Sequence, residues 1–373
     1  MLLRARVFRR RHRADGQVAA LSGLTRGERI GLAVVACLTV LAGVARYAGG
    51  VPHLVAFIIA GVALAGGAWI VSFSTEQVGG RFGVGVTGMM QSTLGNLPEF
   101  FVVLFALQAH ELIVAQTALL GSILVNALFV LGLVLIAGAR RESDGIMRFS
   151  PRLPNDTATL LLVASLIFLL VGIVANSHGP AGHHVKTISI ISAIALLVVY
   201  GFWVRQYLTT EHAEDSAGEE PRLSTRASLA LLIVSGAAAG FVSDWFVHAL
   251  EPTIHSLGIS RAFAGLVIVA IAGNAVEHAV GVVLAAKGRS ELAISVVKNS
   301  VGQVAAFLFP LMVLVSLLTA TTLTFALAPV YVGALFATAV IVWQITGDGE
   351  ATQFEGVALC AGFVILAVVA AYQ

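Results

Sequence analysis

Twice in this chain a Gly-Asn-x-x-Glu motif falls inside an apolar run long enough to cross a bilayer. Gly95-Asn96-Leu97-Pro98-Glu99 lies in the run 84–108, and Gly273-Asn274-Ala275-Val276-Glu277 lies in the run 262–286. In each, an amide and a carboxylate three residues apart share one face of a helix. A carboxylate at the centre of a membrane helix costs about 2.5–3.5 kcal/mol on insertion scales. Two copies therefore require a fold that turns both carboxylates away from lipid. The chemistry that suits them is a cation held at mid-membrane.

The rest of the composition agrees. Hydrophobic residues make up 58% of the chain and charged residues 11%, which excludes an ordinary soluble domain; no nucleic-acid partner is expected. The short alternating strands of a membrane β-barrel are absent. Cys37 and Cys360 sit singly inside apolar runs, with no C-x-x-C pattern, and read as packing residues.

A helix needs about 20 residues to cross the ~30 Å hydrocarbon core. Eleven runs meet that length: 30–47, 53–75, 84–108, 112–138, 158–176, 185–204, 227–249, 262–286, 291–318, 328–346 and 354–372. The fold class is an all-α polytopic membrane protein. With the N-terminus inside, alternate connectors place 18 of the 22 Lys and Arg residues in the cytoplasm. Only Arg46, Lys186 and Arg261 are left outside, with Lys298 within a span. That bias follows the positive-inside rule and puts the C-terminus outside. The Arg-rich stretch 1–29 then reads as a cytoplasmic tail rather than a cleaved leader. The dominance of Arg over Lys suggests a GC-rich genome and a bacterial inner membrane.

The third run goes from inside to outside and the eighth from outside to inside, so the two motifs are antiparallel. This is the trace of an inverted repeat. It divides the chain into a tail (1–29), an extra first helix (30–47), an N-terminal repeat (53–204, helices 2–6), an acidic cytoplasmic linker (205–226) and a C-terminal repeat (227–373, helices 7–11). The linker carries Glu211, Glu214, Asp215, Glu219 and Glu220.

Polar residues at helical spacing surround the motifs. Ser92, Asn96 and Glu99 form one stripe, and Pro98 disrupts the helix there. The fourth run offers Gln116, Ser122 and Asn126. The ninth offers Asn299, Ser300 and Gln303. Two carboxylates with amide, hydroxyl and carbonyl oxygens suit a hard cation; Ca²⁺ takes six to eight such ligands. His278, next to Glu277, is a candidate proton relay. Lys298 is two residues from Ser300 and eight from the inner end of its run, within snorkelling reach of the interface, and reads as peripheral. Glu76 and Asp244 occupy equivalent places in the two repeats and are candidate access-path acids at opposite mouths.

These residues resemble the Ca²⁺/H⁺ antiporter (CAX) branch of the calcium/cation exchanger superfamily. The resemblance rests on the paired Gly-Asn-x-x-Glu, on His278 after the second copy and on Gly121-Ser122-Ile123-Leu124-Val125-Asn126. Ser300-x-x-Gln303 followed by Pro310 and the acidic connector extend it over helices 2–11. It implies one helix plus an inverted five-plus-five repeat. It also implies a Ca²⁺ site around Glu99 and Glu277, with Asn96, Asn274, Ser300 and Gln303 nearby, and exchange against protons. Pro98 and Lys298-Asn299 depart from the family pattern.

The expected function is antiport of Ca²⁺ against H⁺ by alternating access, the glutamates binding either a cation or protons. A Na⁺(K⁺)/H⁺ exchanger of the same fold is the alternative, and a cation channel a more distant one. No enzyme is expected: His110-Glu111 lacks the second histidine of a zinc-protease motif, and no G-x-S-x-G occurs. No cofactor is implied; the partners are Ca²⁺, H⁺ and lipid. The sequence does not fix the oligomeric state.

Overall fold

A computed structural model of the chain describes residues 23–48, 50–79, 90, 93–177, 179–211 and 222–373. Residues 1–22 of the basic tail, Arg81, Ser92 and residues 212–221 of the acidic linker lie outside the described residues. The helices are α1 (Arg26–Tyr47), α2 (His53–Gly79), α3 (Leu97–Gln108), α4 (Leu112–Ala139), α5 (Arg152–Asn176), α6 (Val185–Glu211), α7 (Thr225–Leu257), α8 (Arg261–Ala286), α9 (Ser290–Leu318), α10 (Pro329–Thr346) and α11 (Gln353–Ala371). Among the described residues, ten helices are long and apolar enough to cross a membrane. The shorter α3 has 12 residues.

Local signals set the helix ends. Thr25 and Thr352 open α1 and α11 with capping boxes closed by Glu28 and Glu355. Gly258, at φ 64°, ends α7 in the left-handed conformation.

Helix packing follows an internal symmetry. α2 packs on α7, with Phe57 stacked on Phe246 at 4.7 Å. Exchanging α2–α6 for α7–α11 maps α3–α7 onto α8–α2, α3–α4 onto α8–α9, α4–α11 onto α9–α6, and α5–α9 onto α10–α4; all eight pairs are in contact. With lipid tails as apolar as the helices, close approach of small residues holds such pairs together. Gly121 of α4 lies directly against the Leu266 carbonyl of α8, where a β-carbon has no room.

Contacts between connectors fix which ends share a face. Arg222 forms a two-pronged ion pair with Glu28, and the backbone N–H groups of Arg222 and Leu223 donate to Gln77 Oε1. The start of α1, the end of α2 and the start of α7 are therefore on one face. On the other, Arg261 pairs with Glu111 at 2.9 Å and with Glu251 at 3.4 Å, and Ser260 donates to the Ala370 carbonyl near the end of α11. The chain thus changes face between Gln77 and Glu111, and α3 and α8 run in opposite directions. The start of α1 and the end of α11 are on opposite faces.

Two features were not anticipated from the sequence. Connectors α4–α5 and α10–α11 pair as strands, β1 (Ile146–Arg148) antiparallel to β2 (Glu350–Thr352), with Met147 opposite Ala351. Arg148 bridges Asp144 and Glu350 there, and its guanidinium holds the Asp144 carboxyl below the ordinary carboxylate range. The second feature corrects the reading of Lys298 as peripheral. Its side chain is 1% exposed, and Nζ donates to Thr346 Oγ1 at 3.2 Å in the last turn of α10. The partial negative charge at a helix C-terminus favours an ammonium group there, so the side chain turns to α10 instead of the interface.

Candidate cation site

Four helices converge on the motifs, and each is irregular there. Instead of running on through the first motif, α3 starts at Leu97, with Asn96 as its N-cap and Pro98 in its first turn. Proline fits that position because the N–H it lacks has no helical partner there. Glu99 therefore sits in the first turn of α3, where the helix dipole favours a negative charge. A π-helical turn spans Val125–Val130 in α4, another Ala264–Val269 in α8, and a third Val304–Leu308 in α9, directly after Gln303. Such turns release backbone carbonyls from the regular ladder and cluster at functional sites.

The polar side chains form a cross-helix network. Asn274 Nδ2 of α8 donates to Ser122 Oγ of α4 at 2.8 Å, and Ser122 Oγ donates to Glu99 Oε2 of α3 at 3.2 Å. Asn126 Nδ2 donates to Ser300 Oγ at 3.3 Å and to the Ser122 carbonyl at 3.0 Å. Asn96 Nδ2 reaches Gln303 Oε1 at 3.5 Å. Ser300 lies beside Glu277 as Ser122 lies beside Glu99. Each glutamate thus meets a serine from the next helix of its own half.

The two motifs also pack on each other. Gly95 faces Glu277, and Gly273 faces Glu99. Glu99 is buried, and the two carboxylates are close enough to repel one another. Glu99 Oε1, Glu277 Oε2 and Asn299 Oδ1 are buried without a hydrogen-bond partner among the described residues. Buried carboxylate oxygens with no donor are costly; a cation or a proton satisfies them. Among the described residues no cluster of three or more His, Cys, Asp or Glu occurs. A cation here draws its remaining ligands from amides, hydroxyls and carbonyls.

Of the residues singled out from the sequence, Asn96, Glu99, Ser122, Asn126, Asn274, Glu277, Ser300 and Gln303 are brought together. Ser92 lies outside the described residues. Gln116 is not part of the network: Nε2 donates to the Ala326 carbonyl at 3.2 Å, and the residue lines a separate cavity of about 590 Å³ with Arg261 and Tyr331. His278 is half-buried, with Nε2 unpartnered among the described residues. Glu76 is exposed near the end of α2, and Asp244 is half-buried in α7. Sequence reasoning missed Ser243, whose hydroxyl donates to the Pro98 carbonyl at 3.3 Å and ties α7 to the first motif. Its position beside Asp244 was the available signal.

The sodium/calcium exchanger protein family model matches this chain twice, over residues 52–206 and 227–372. The chain belongs to that family. The chain is 31% identical over 306 residues to a vacuolar calcium ion transporter of Schizosaccharomyces pombe, covering 80% of this chain and 74% of the relative. It is 26% identical over 324 residues to the Ca²⁺/H⁺ antiporter ChaA of Bacillus subtilis, covering 85% and 92%. Its fold is similar to that of native YfkE, with a TM-score of 0.76 at 24% identity, over 92% of this chain and 99% of that one.

Proposed function

We propose that this exchanger moves Ca²⁺ in one direction and H⁺ in the other by alternating access, with Glu99 and Glu277 as the shared binding groups. The observation that carries this is the pair of carboxylates from antiparallel helices, each seated against the glycine of the opposite motif and each with a partnerless oxygen. Two negative charges at mid-membrane are too costly to carry across empty. One divalent cation neutralises both, and so do two protons, but the two occupants exclude one another. Ca²⁺ arriving from one face displaces protons; protons arriving from the other displace Ca²⁺ while the halves rock about the site. Relatives named Ca²⁺/H⁺ antiporters and vacuolar cation/proton exchangers support the choice of ions.

Asn96, Asn126, Asn274, Ser122, Ser300 and Gln303 complete the cation shell in this reading. His278 serves as proton relay, and Glu76 and Asp244 mark the two access paths. The repeats are 53–204 and 227–373, which the two family matches and the paired helix contacts support. The preponderance of Arg over Lys supports a bacterial inner membrane, and the Lys/Arg asymmetry between connectors supports a cytoplasmic start of α1.

Placement of Lys298 bears on the monovalent alternative. An ammonium facing the glutamates would cancel one charge and suit Na⁺ or K⁺. Its Nζ instead meets Thr346, leaving both carboxylates for a divalent ion. The test is purified protein in vesicles holding a pH-sensitive dye, with Ca²⁺, Mg²⁺, Mn²⁺, Na⁺ or K⁺ added outside. Ca²⁺ should release the most protons; a response to Na⁺ or K⁺ but not Ca²⁺ would reject the divalent assignment.

A further inference from the structure

The extra helix α1 encloses a second polar feature that transport does not explain. Where α1 ends and α2 begins, these two helices and α7 enclose a cavity of about 400 Å³. Arg46, His53 and His248 bring polar cationic or N–H-bearing side chains to it, and among the described residues no carboxylate lines it. Arg46 Nε is buried there and has no hydrogen-bond partner among the described residues. A guanidinium N–H buried without an acceptor is unfavourable, and an anion in this cavity would supply one.

Its depth says which anion. Trp245 lines the cavity, and its Nε1 donates to the Tyr47 hydroxyl at 3.4 Å, the two rings meeting edge to face at 6.2 Å. Trp and Tyr concentrate at the headgroup level of a bilayer. Beyond them α1 turns Val40, Leu41 and Val44 outward, and α7 turns Phe241 outward, an apolar surface suited to acyl chains. We propose that this cavity binds the phosphodiester of an anionic phospholipid, with Arg46 as its principal donor and His53 and His248 at its mouth. A choline headgroup fits less well: its quaternary ammonium would meet the like charge of the Arg46 guanidinium, which already occupies one face of the Tyr47 ring, 5.3 Å from its centroid. The lipid would fasten α1 to the α2–α7 pair, since α1 buries little of its own surface.

The experiment uses the full chain in mixed micelles, read by thermal unfolding and by native mass spectrometry. The probes are phosphatidylglycerol, phosphatidylcholine and inorganic phosphate. Phosphatidylglycerol should raise the melting temperature and remain bound where phosphatidylcholine does not. Arg46→Gln should weaken its apparent affinity by about tenfold, near 1.4 kcal/mol. His248→Gln should weaken it less, and Arg205→Gln, on α6, should leave it unchanged. If Arg46→Gln does not fold, His248→Gln with lipid counting decides. Equal stabilisation by both lipids, or a phosphatidylglycerol effect that survives Arg46→Gln and His248→Gln, overturns the proposal. Equal stabilisation by inorganic phosphate alone overturns the lipid assignment in favour of a free-anion site.

Discussion

Gly95 lies against Glu277 so closely that a β-carbon on the glycine would stand 2.8 Å from the glutamate Oε1. The reciprocal contact is looser: a β-carbon on Gly273 would meet Glu99 Cβ at 3.9 Å, an ordinary van der Waals distance. The two copies of the motif are therefore unequal in what they tolerate. Gly95→Ala must push the Glu277 carboxylate out of place and should cut Ca²⁺-driven proton flux by about tenfold or more. Gly273→Ala should retain most of it. Equal losses in a vesicle flux assay would mean that the 2.8 Å approach does not position Glu277.

Glu99→Gln and Glu277→Gln should each abolish exchange and leave a monodisperse, folded protein. Either change removes a charge that the cation neutralises, and deleting a membrane-buried charge does not weaken the fold. In the unaltered protein, apparent Ca²⁺ affinity should fall as pH falls, because protons compete for the same oxygens. Near-normal transport by either variant, or a Ca²⁺ affinity independent of pH, would contradict the shared-carboxylate mechanism.

Ser122 is the joint between the two motifs, accepting from Asn274 and donating to Glu99. Ser122→Ala removes both bonds and leaves buried polar groups without partners, at about 1–3 kcal/mol for each stranded group. Apparent Ca²⁺ affinity should drop roughly tenfold or more. Gln116→Ala, on the same helix, should leave it unchanged. Isotherms of Ca²⁺-dependent flux for the two variants make the comparison.

For Lys298 the expectation concerns selectivity. Lys298→Met keeps most of the side-chain length and deletes the ammonium beside Thr346, so preference for Ca²⁺ over Na⁺ should stay the same. A gain in Ca²⁺ affinity of about tenfold, or 1.4 kcal/mol, measured by ion-dependent dye response, would show that the charge acts on the site.

Reporters fused before α1 and after α11 should lie on opposite faces of the membrane, because Arg222 joins Glu28 at one face and Ser260 joins Ala370 at the other. Protection of both tags from an impermeant thiol reagent or a protease applied to one side would break that arrangement.

Much of this molecule was legible in its sequence because membranes impose length and periodicity. The apolar runs gave the helices, and the doubled motif gave two antiparallel carboxylates. Spacings such as Ser122 to Asn126 put the right oxygens on one face. Gln116 should have been set aside on the same ground: six residues from Ser122 is about 240° around an α-helix. What was not legible depends on neighbours or backbone. No spacing along α9 reveals that the end of α10 waits beside Lys298. The break at Asn96 was signalled only as a distortion around Pro98, and the π turns are changes of backbone pairing with no side-chain signature beyond nearby glycines such as Gly121, Gly265 and Gly302. Ile146-Met147-Arg148 and Glu350-Ala351-Thr352 are too short to read as strands.

The pairing of helices across the halves also sets a schedule for biogenesis. α2 rests on α7, α4 on α8 and α11, and β1 on β2, so most of the packing partners of the first half are translated after it. Membrane segments are delivered from the N-terminal end. Glu99 is therefore threaded into the bilayer long before Asn274 or Gly273 exists to shelter it. Until α8 arrives, that carboxylate has only Ser122 from its own half as a described partner. A nascent first half must wait in that state, and a ribosome stall between the halves would leave a charged, half-built carrier for quality control to recognise.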